Sequence, residues 1–243
     1  MRVQLAFQID ELPIGYRLGV LSIIKEMIKN GSTAYYDQIF ETGKHQIKPF
    51  GYSTYIKNLK IDGNKIFGDE LIVTVSSSSY EWMMHLINGS HKKKDYQYKN
   101  YRFYLKSKRL LPKLNISDPV VTFSTKSPIL LERKEKGPVL STDSLFEKEF
   151  QYISGLIIEG LADRKPYAPI RVLKAAMTKQ VIKENLHQSE DRFIYLTANK
   201  GIIQLEGHPD DLQVLYDNGV SFRRSLGLGL LDVEEVKSES WKR

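Results

Sequence analysis

Two rounds of one alternation of strand and helix patterns run through the chain, and they restrict its fold more than any other feature. In the first, Val3 to Ile9 reads as a strand, and Pro13 and Gly15 break it. Val20, Leu21, Ile24, Met27 and Ile28 follow at helical spacing as far as Asn30-Gly31. Ser32 is placed to cap a short second helix, Thr33 to Glu41. A strand through Tyr55 and Ile56, a tight turn at Asp62-Gly63-Asn64 and strand material from Lys65 to Ser76 come next. Tyr80, Met83, Met84 and Ile87 mark a helix that Asn88-Gly89 is expected to stop, and Tyr96, Tyr98, Tyr101, Phe103 and Leu105 alternate as one more strand. The resulting order, β-α-(α)-β-β-α-β, is that of a ferredoxin-like domain.

Pro112 to Pro119 is the natural boundary. Beyond it Val120 to Leu131 reads as strand, Lys134 to Gly137 as a turn, and Phe146, Phe150, Ile153 and Ile157 as a helix. Ile170 to Lys183 and Arg192 to Glu206 read as strands, the latter with a turn at Asn199-Lys200-Gly201. A helix over 209–218 and a strand after Gly227 complete the same order again. The expected fold is therefore α+β, two tandem ferredoxin-like (RRM-like) domains over 1–115 and 119–236, followed by a polar tail, 237–243.

Composition narrows the chemistry. There are no cysteines among the 243 residues, which excludes disulfides, thiol catalysis and thiolate metal sites. The five histidines, 45, 85, 91, 187 and 208, show no pairing at metal-ligand spacing, so no metal or other cofactor is expected. Walker A and Gly-x-Ser-x-Gly patterns are absent. No stretch has the length of a membrane span, the N-terminus lacks a signal-peptide shape, and a cytoplasmic location fits both. A formal charge of +7 favours a polyanionic partner such as nucleic acid.

Three stretches carry candidate function. The first is Gly219-Val220-Ser221-Phe222-Arg223-Arg224-Ser225-Leu226-Gly227-Leu228-Gly229. Read as a strand, its end puts Leu226, Leu228 and Leu230 on one face and Gly227 and Gly229 on the other. A glycine face admits a close backbone, and the neighbouring arginines favour a phosphate backbone. The bland alternative is a helix C-cap followed by a weak strand. The second is the polar loop from Thr42 to Ser53, where Lys44 and Lys48 flank His45. Histidine titrates near neutrality and can move the protons of an RNA self-cleavage reaction, while lysine stabilises the charge on phosphorus. A lone loop histidine is also commonly just solvated. The third is the run His91-Lys92-Lys93-Lys94 interleaved with Tyr96, Tyr98 and Tyr101, which can grip phosphates and stack bases.

The glycine stretch resembles the C-terminal glycine-rich loop of the CRISPR repeat-processing endoribonucleases, the Cas-six family of the RAMP superfamily. That loop reads Gly-apolar-Gly-x-basic-x-Ser-x-Gly-apolar-Gly, and Gly219, Arg223, Ser225, Gly227 and Gly229 match it, with Ser221 in place of the second glycine. Lys48-Pro49-Phe50-Gly51-Tyr52-Ser53 is similar to the family's Lys/Arg-x-Phe-x-x-Ser stretch. The resemblance implies metal-independent cleavage of CRISPR repeat transcripts that leaves a 2′,3′-cyclic phosphate and a 5′-hydroxyl. It implies His45 as the acid or base, Lys48 as the charge stabiliser and Tyr35 or Tyr36 as an added tyrosine. Arg223, Arg224, Ser225 and the glycines would hold the RNA backbone. The sequence departs from many relatives at Ile39-Phe40-Glu41, where they carry Leu-His-Glu, so a non-catalytic repeat-RNA binder is the rival expectation. A ferredoxin-like protein-interaction subunit is the second rival. Homodimerisation and association with the subunits of a CRISPR effector complex are both left open.

Overall fold

The computed structural model describes residues 1–133, 137–185 and 193–234. The first half contains β1 (Arg2–Gln8), β2 (Glu11–Pro13), α1 (Arg17–Gly31), α2 (Thr33–Tyr36) with a π-helical turn Asp37–Thr42, β3 (Gly51–Lys57), β4 (Lys60–Asp62), β5 (Lys65–Phe67), β6 (Glu70–Ser76), α3 (Tyr80–Lys92), β7 (Asp95–Tyr98) and β8 (Tyr101–Leu111). The second contains β9 (Val120–Thr125), β10 (Glu132–Arg133), β11 (Gly137–Pro138), α4 (Phe146–Ala162), β12 (Arg171–Glu184), β13 (Ile194–Glu206), α5 (Pro209–Asn218), a 3-10 turn Arg224–Leu226 and β14 (Leu231–Val233). The two larger sheets run β3-β6-β1-β8-β7 and β12-β13-β9-β14, antiparallel throughout. Leaving aside the added hairpin strand β7, each has the strand order 2-3-1-4, so the α+β fold is two ferredoxin-like units in tandem. No described helix is long and apolar enough to cross a membrane.

Local chemistry explains two of the helix ends. The Ser32 hydroxyl accepts from the Tyr35 amide at 3.2 Å, capping α2 as its sequence position predicts. Gly219 ends α5 with φ +77, and its amide reaches Leu215 O. Val3, Leu5 and Phe7 of β1 and Leu71, Val73 and Val75 of β6 alternate into one core beneath α1 and α3. The two helices cross at Gly31 and Gly89, where their backbones touch. A methyl on Gly89 would lie 1.7 Å from Met27 O, and one on Gly31 would lie 2.1 Å from His85 O.

Four expectations change. Gly89 does not stop α3, which continues to Lys92, because its lack of a side chain serves the helix crossing instead. The buried face of that helix is Trp82, Met83 and Leu86, whereas Tyr80 and Met84 are exposed. Residues 95–111 form a hairpin rather than one strand, turning at Lys99, whose φ is +53. Finally, Asn199-Lys200-Gly201 lies inside β13. Asn199 is buried there, and its side chain donates to Val139 O at 2.9 Å and accepts from the Ser141 amide at 2.8 Å. An Asn-x-Gly that resembles turn chemistry is thus a pin for the β10–β11 region. The turn at 134–136, His187 with its connector, and the tail from 237 lie outside the described residues.

Buried polar side chains join the two halves of the chain. The Arg2 guanidinium lies 3.7 Å above the Tyr216 ring and donates to Tyr216 O and Leu231 O, both at 2.6 Å. Asn218 accepts from the amide and hydroxyl of Ser78 at 3.2 Å. Glu184, at the end of β12, is fully buried 3.7 Å from Arg17. Burial pushes its carboxyl up to about 7, although Arg17 and the Asn185 amide pull the other way. An acid raised on folding favours the folded state below its unfolded pKa and loses that advantage as pH rises through its folded one. Wild-type stability relative to Glu184→Gln is therefore expected to fall by about 3 kcal/mol between about pH 4.5 and 7 and to level off above. Denaturant midpoints at three pH values check this. A wild-type-minus-variant difference that is independent of pH would refute it.

Candidate nucleic-acid interface

The loop that carries His45 is shaped by its own lysine. After the π-helical turn, Lys48 reaches back and donates to Ile39 O at 2.8 Å and Gly43 O at 2.6 Å, closing the turn's exposed carbonyl end. This holds residues 43–47 out as a compact bulge with His45 and Lys44 exposed on it. Burial, aided by the nearby charge of Lys25, holds the Lys48 ammonium below the usual lysine range. Two of its three donors are occupied, so a single one remains to meet a phosphate. Ile47 packs against Gly160 of α4, where an added methyl would come within 2.8 Å of its side chain. The loop therefore rests on both halves of the chain.

The two tyrosines separate. Tyr35 is buried, its ring 4.6 Å from that of His85, and burial raises its phenol. It is a core residue, which corrects its candidacy for the site. Tyr36 is half-buried and stays on the outer surface, 5.1 Å from Phe40. Lys25 and Lys29 of α1 approach its ring at 5.7 and 5.5 Å. Their i, i+4 spacing on the polar side of α1 is visible in the sequence, but nothing there places them beside an aromatic ring.

The glycine-rich stretch is corrected most. It is not a strand with a leucine face and a glycine face. Arg223 at φ +53, Gly219 at +77, Gly227 at +71 and Gly229 at +78 break any alternation, and Leu226, Gly227, Leu228, Gly229 and Leu230 are all buried. Gly227 faces the Tyr52 ring, 2.5 Å from where its Cβ would stand, and Gly229 faces Val220 O at 2.3 Å. These glycines permit protein packing, and no open face is left on them for a phosphate backbone. Ser221 belongs to the same folding, with its hydroxyl 2.8 Å from the Leu130 amide.

Arg224 is also withdrawn from the surface. It donates to Asn218 O at 2.8 Å, Lys48 O at 2.9 Å and Phe50 O at 3.3 Å, and burial lowers its guanidinium to about 10. It cannot hold an external phosphate as arranged, but it ties the glycine-rich loop to the backbone of the His45 loop. Arg223 is exposed, 3.6 Å from the Glu132 carboxylate, and Ser225 is half-buried in the 3-10 turn. Among the named residues of this stretch, Arg223 and Ser225 retain access to solvent.

The third stretch is partly committed to structure. Lys92 donates to Asn30 O and Lys93 to Glu26, each at 2.6 Å, while Lys94 is exposed. Tyr96 is wholly buried and its hydroxyl donates to Lys93 O at 2.9 Å, so it offers no face to a base. Tyr98 and Tyr101 remain half-exposed. No group of three or more histidine, aspartate and glutamate residues able to hold a metal occurs among the described residues.

A family model described as "CRISPR associated protein Cas6, C-terminal" matches residues 108–233, just over half of the chain. Similar folds are found in solved structures. One, described as "Characterization of a Cas6-related gene from Pyrococcus furiosus", is 19% identical, covers 98% of this chain and 99% of its own, and has a TM-score of 0.78. "An RAMP protein binding different RNA substrates" is 18% identical, with coverage of 97% and 100% and a TM-score of 0.76. "CRISPR associated protein Cas6" is 20% identical, with coverage of 97% and 99% and a TM-score of 0.73. At these identities the likeness is one of fold. No curated protein matches the sequence.

Proposed function

Because the chain belongs to the Cas6 family of CRISPR-associated proteins, we propose that it binds CRISPR repeat RNA and cuts it without a metal. In this reading the RNA's own 2′-hydroxyl attacks the adjacent phosphorus, and the bond to the 5′-oxygen breaks. The products are a 2′,3′-cyclic phosphate and a 5′-hydroxyl. His45 takes the proton from the nucleophile or gives one to the leaving oxygen. The remaining donor of Lys48 meets the charge that builds on the phosphoryl oxygens. Of the two candidate tyrosines, Tyr36 is the one left on the surface, and Arg223 and Ser225 contact the RNA backbone.

The observation that carries this reading is the Arg224 clamp. It ties the glycine-rich loop and the His45 loop to each other through Lys48 O and Phe50 O, so the two candidate stretches are held as neighbours. A non-catalytic binder is favoured by a different observation: two donors of Lys48 are already committed to carbonyls. End-labelled repeat RNA incubated with the protein in EDTA decides between the two. Scission leaving a cyclic phosphate is the expected result. Salt-sensitive binding without scission would establish the binder, and absence of salt-sensitive binding would remove both readings.

A further inference from the structure

The outer face of α1 carries a basic, aromatic groove that adjoins the proposed cleavage residues Lys48 and Tyr36 and extends beyond them along Lys25 and Lys29. Lys25 and Lys29 lie one turn apart on α1, and Tyr36 and Phe40 lie one turn apart beyond it. The Lys25 ammonium is 4.9 Å from the Phe40 centroid, and the Lys48 ammonium is 5.8 Å from the same ring. With Lys29 beside Tyr36, three ammonium groups converge on two adjacent rings. Like charges gathered in this way disfavour one another, and the lowering of Lys48, due first to burial, carries a smaller contribution from Lys25. The acid lining the groove, Glu26, is engaged by Lys93. Beside Tyr36 the groove continues as an open depression of about 500 Å³ lined by Leu18, Leu21 and Tyr98.

An anion relieves the charge, and a flat apolar group suits the rings. A free inorganic anion has no use for the aromatic walls, and a duplex keeps its base faces stacked internally. An unpaired nucleotide supplies both parts: a base that stacks and phosphates that meet ammonium groups. We infer that this groove is a clamp for a single unpaired nucleotide of the RNA, with Lys25 and Lys29 on its phosphates and Tyr36 and Tyr98 against its base. The inference rests on the RNA-binding reading above and adds a subsite on α1 to it.

The test uses His45→Ala protein, so that the RNA stays intact, and compares it with the same protein carrying Lys25→Gln and Lys29→Gln. Both lysines are on the helix surface and their removal leaves the core untouched. With single-stranded repeat RNA, loss of two phosphate contacts is expected to reduce the log–log salt slope by about 1.4, at roughly 0.7 per contact. Repeat RNA with 2-aminopurine walked along it is expected to be quenched at one or two positions, and Tyr36→Leu is expected to abolish that quench. An unchanged slope, no localised quench, or an equal loss on a fully duplex RNA would overturn the clamp. If the parent protein binds no repeat RNA, the functional reading falls and takes the clamp with it. If the parent binds normally and the lysine variant matches it, only the clamp falls.

Discussion

His45→Ala is expected to slow cleavage of a repeat RNA by about two to four orders of magnitude, the usual cost of removing a positioned acid or base. Affinity for the RNA and the melting temperature are expected to stay close to wild type. The separation is physical. His45 is exposed on a bulge whose shape is set by Lys48, Gly43 and Ile47, so truncating it removes no packing and no loop contact described above. Surface changes of that kind usually fall within about 0.5 kcal/mol of neutral. The same clean result is not expected of Lys48→Ala, which would free Ile39 O and Gly43 O and unpin the bulge itself. Single-turnover cleavage at saturating protein isolates the chemical step from binding. Cleavage at the wild-type rate by His45→Ala would remove this residue from the mechanism, whatever the protein then proves to do.

The two ferredoxin-like rounds were legible because each rests on local chemistry. Strand alternation such as Val3, Leu5, Phe7, the Ser32 cap and the Gly219 stop operate within a few residues of chain. The errors came where a local pattern had two physical meanings. Gly89 can end a helix or let another backbone touch it, and only the distant position of Met27 decides. Asn199-Lys200-Gly201 has the composition of a turn, yet the Asn199 side chain is spent on Val139 and Ser141, far away in sequence. Arg224 reads as a phosphate ligand because arginine usually is one near glycines. Two of its three acceptors, Lys48 O and Phe50 O, lie more than 170 residues earlier, and nothing local announces them. His45 was singled out from its basic flanks, and the structure shows it exposed on its bulge. The α1 lysines were visible as a spacing, but not as a site, until Tyr36 and Phe40 were placed beside them.

The glycine-rich loop shows most sharply what the structure changes, since it reverses the expected outcome of a simple experiment. On a strand with an open glycine face, Gly227→Ala and Gly229→Ala would leave the fold intact and obstruct only a ligand. Here both residues have positive φ, where a side chain costs roughly 1–2 kcal/mol per position. Both also lack room. At Gly227 the obstacle is Tyr52, which is buried and held by the hydrogen bond from its hydroxyl to Arg17 O at 3.0 Å. At Gly229 the obstacle is the backbone at Val220, while the Gly229 amide is itself held by Pro128 O at 2.8 Å. Neither can retreat cheaply, and overpacking adds about 1–3 kcal/mol at each. The double variant is therefore expected to lose on the order of 5 kcal/mol, a large part of the ~5–15 kcal/mol of a typical protein. Its melting temperature should fall by roughly 10–20 °C. Gly155→Ala is the control: that helical glycine has nothing within 4 Å of an added Cβ, and the change should be neutral or slightly stabilising. Thermal melts of the three proteins without RNA are enough. A double variant that melts with the wild type, yet has lost RNA binding, would restore the open glycine face and refute the packed loop described here.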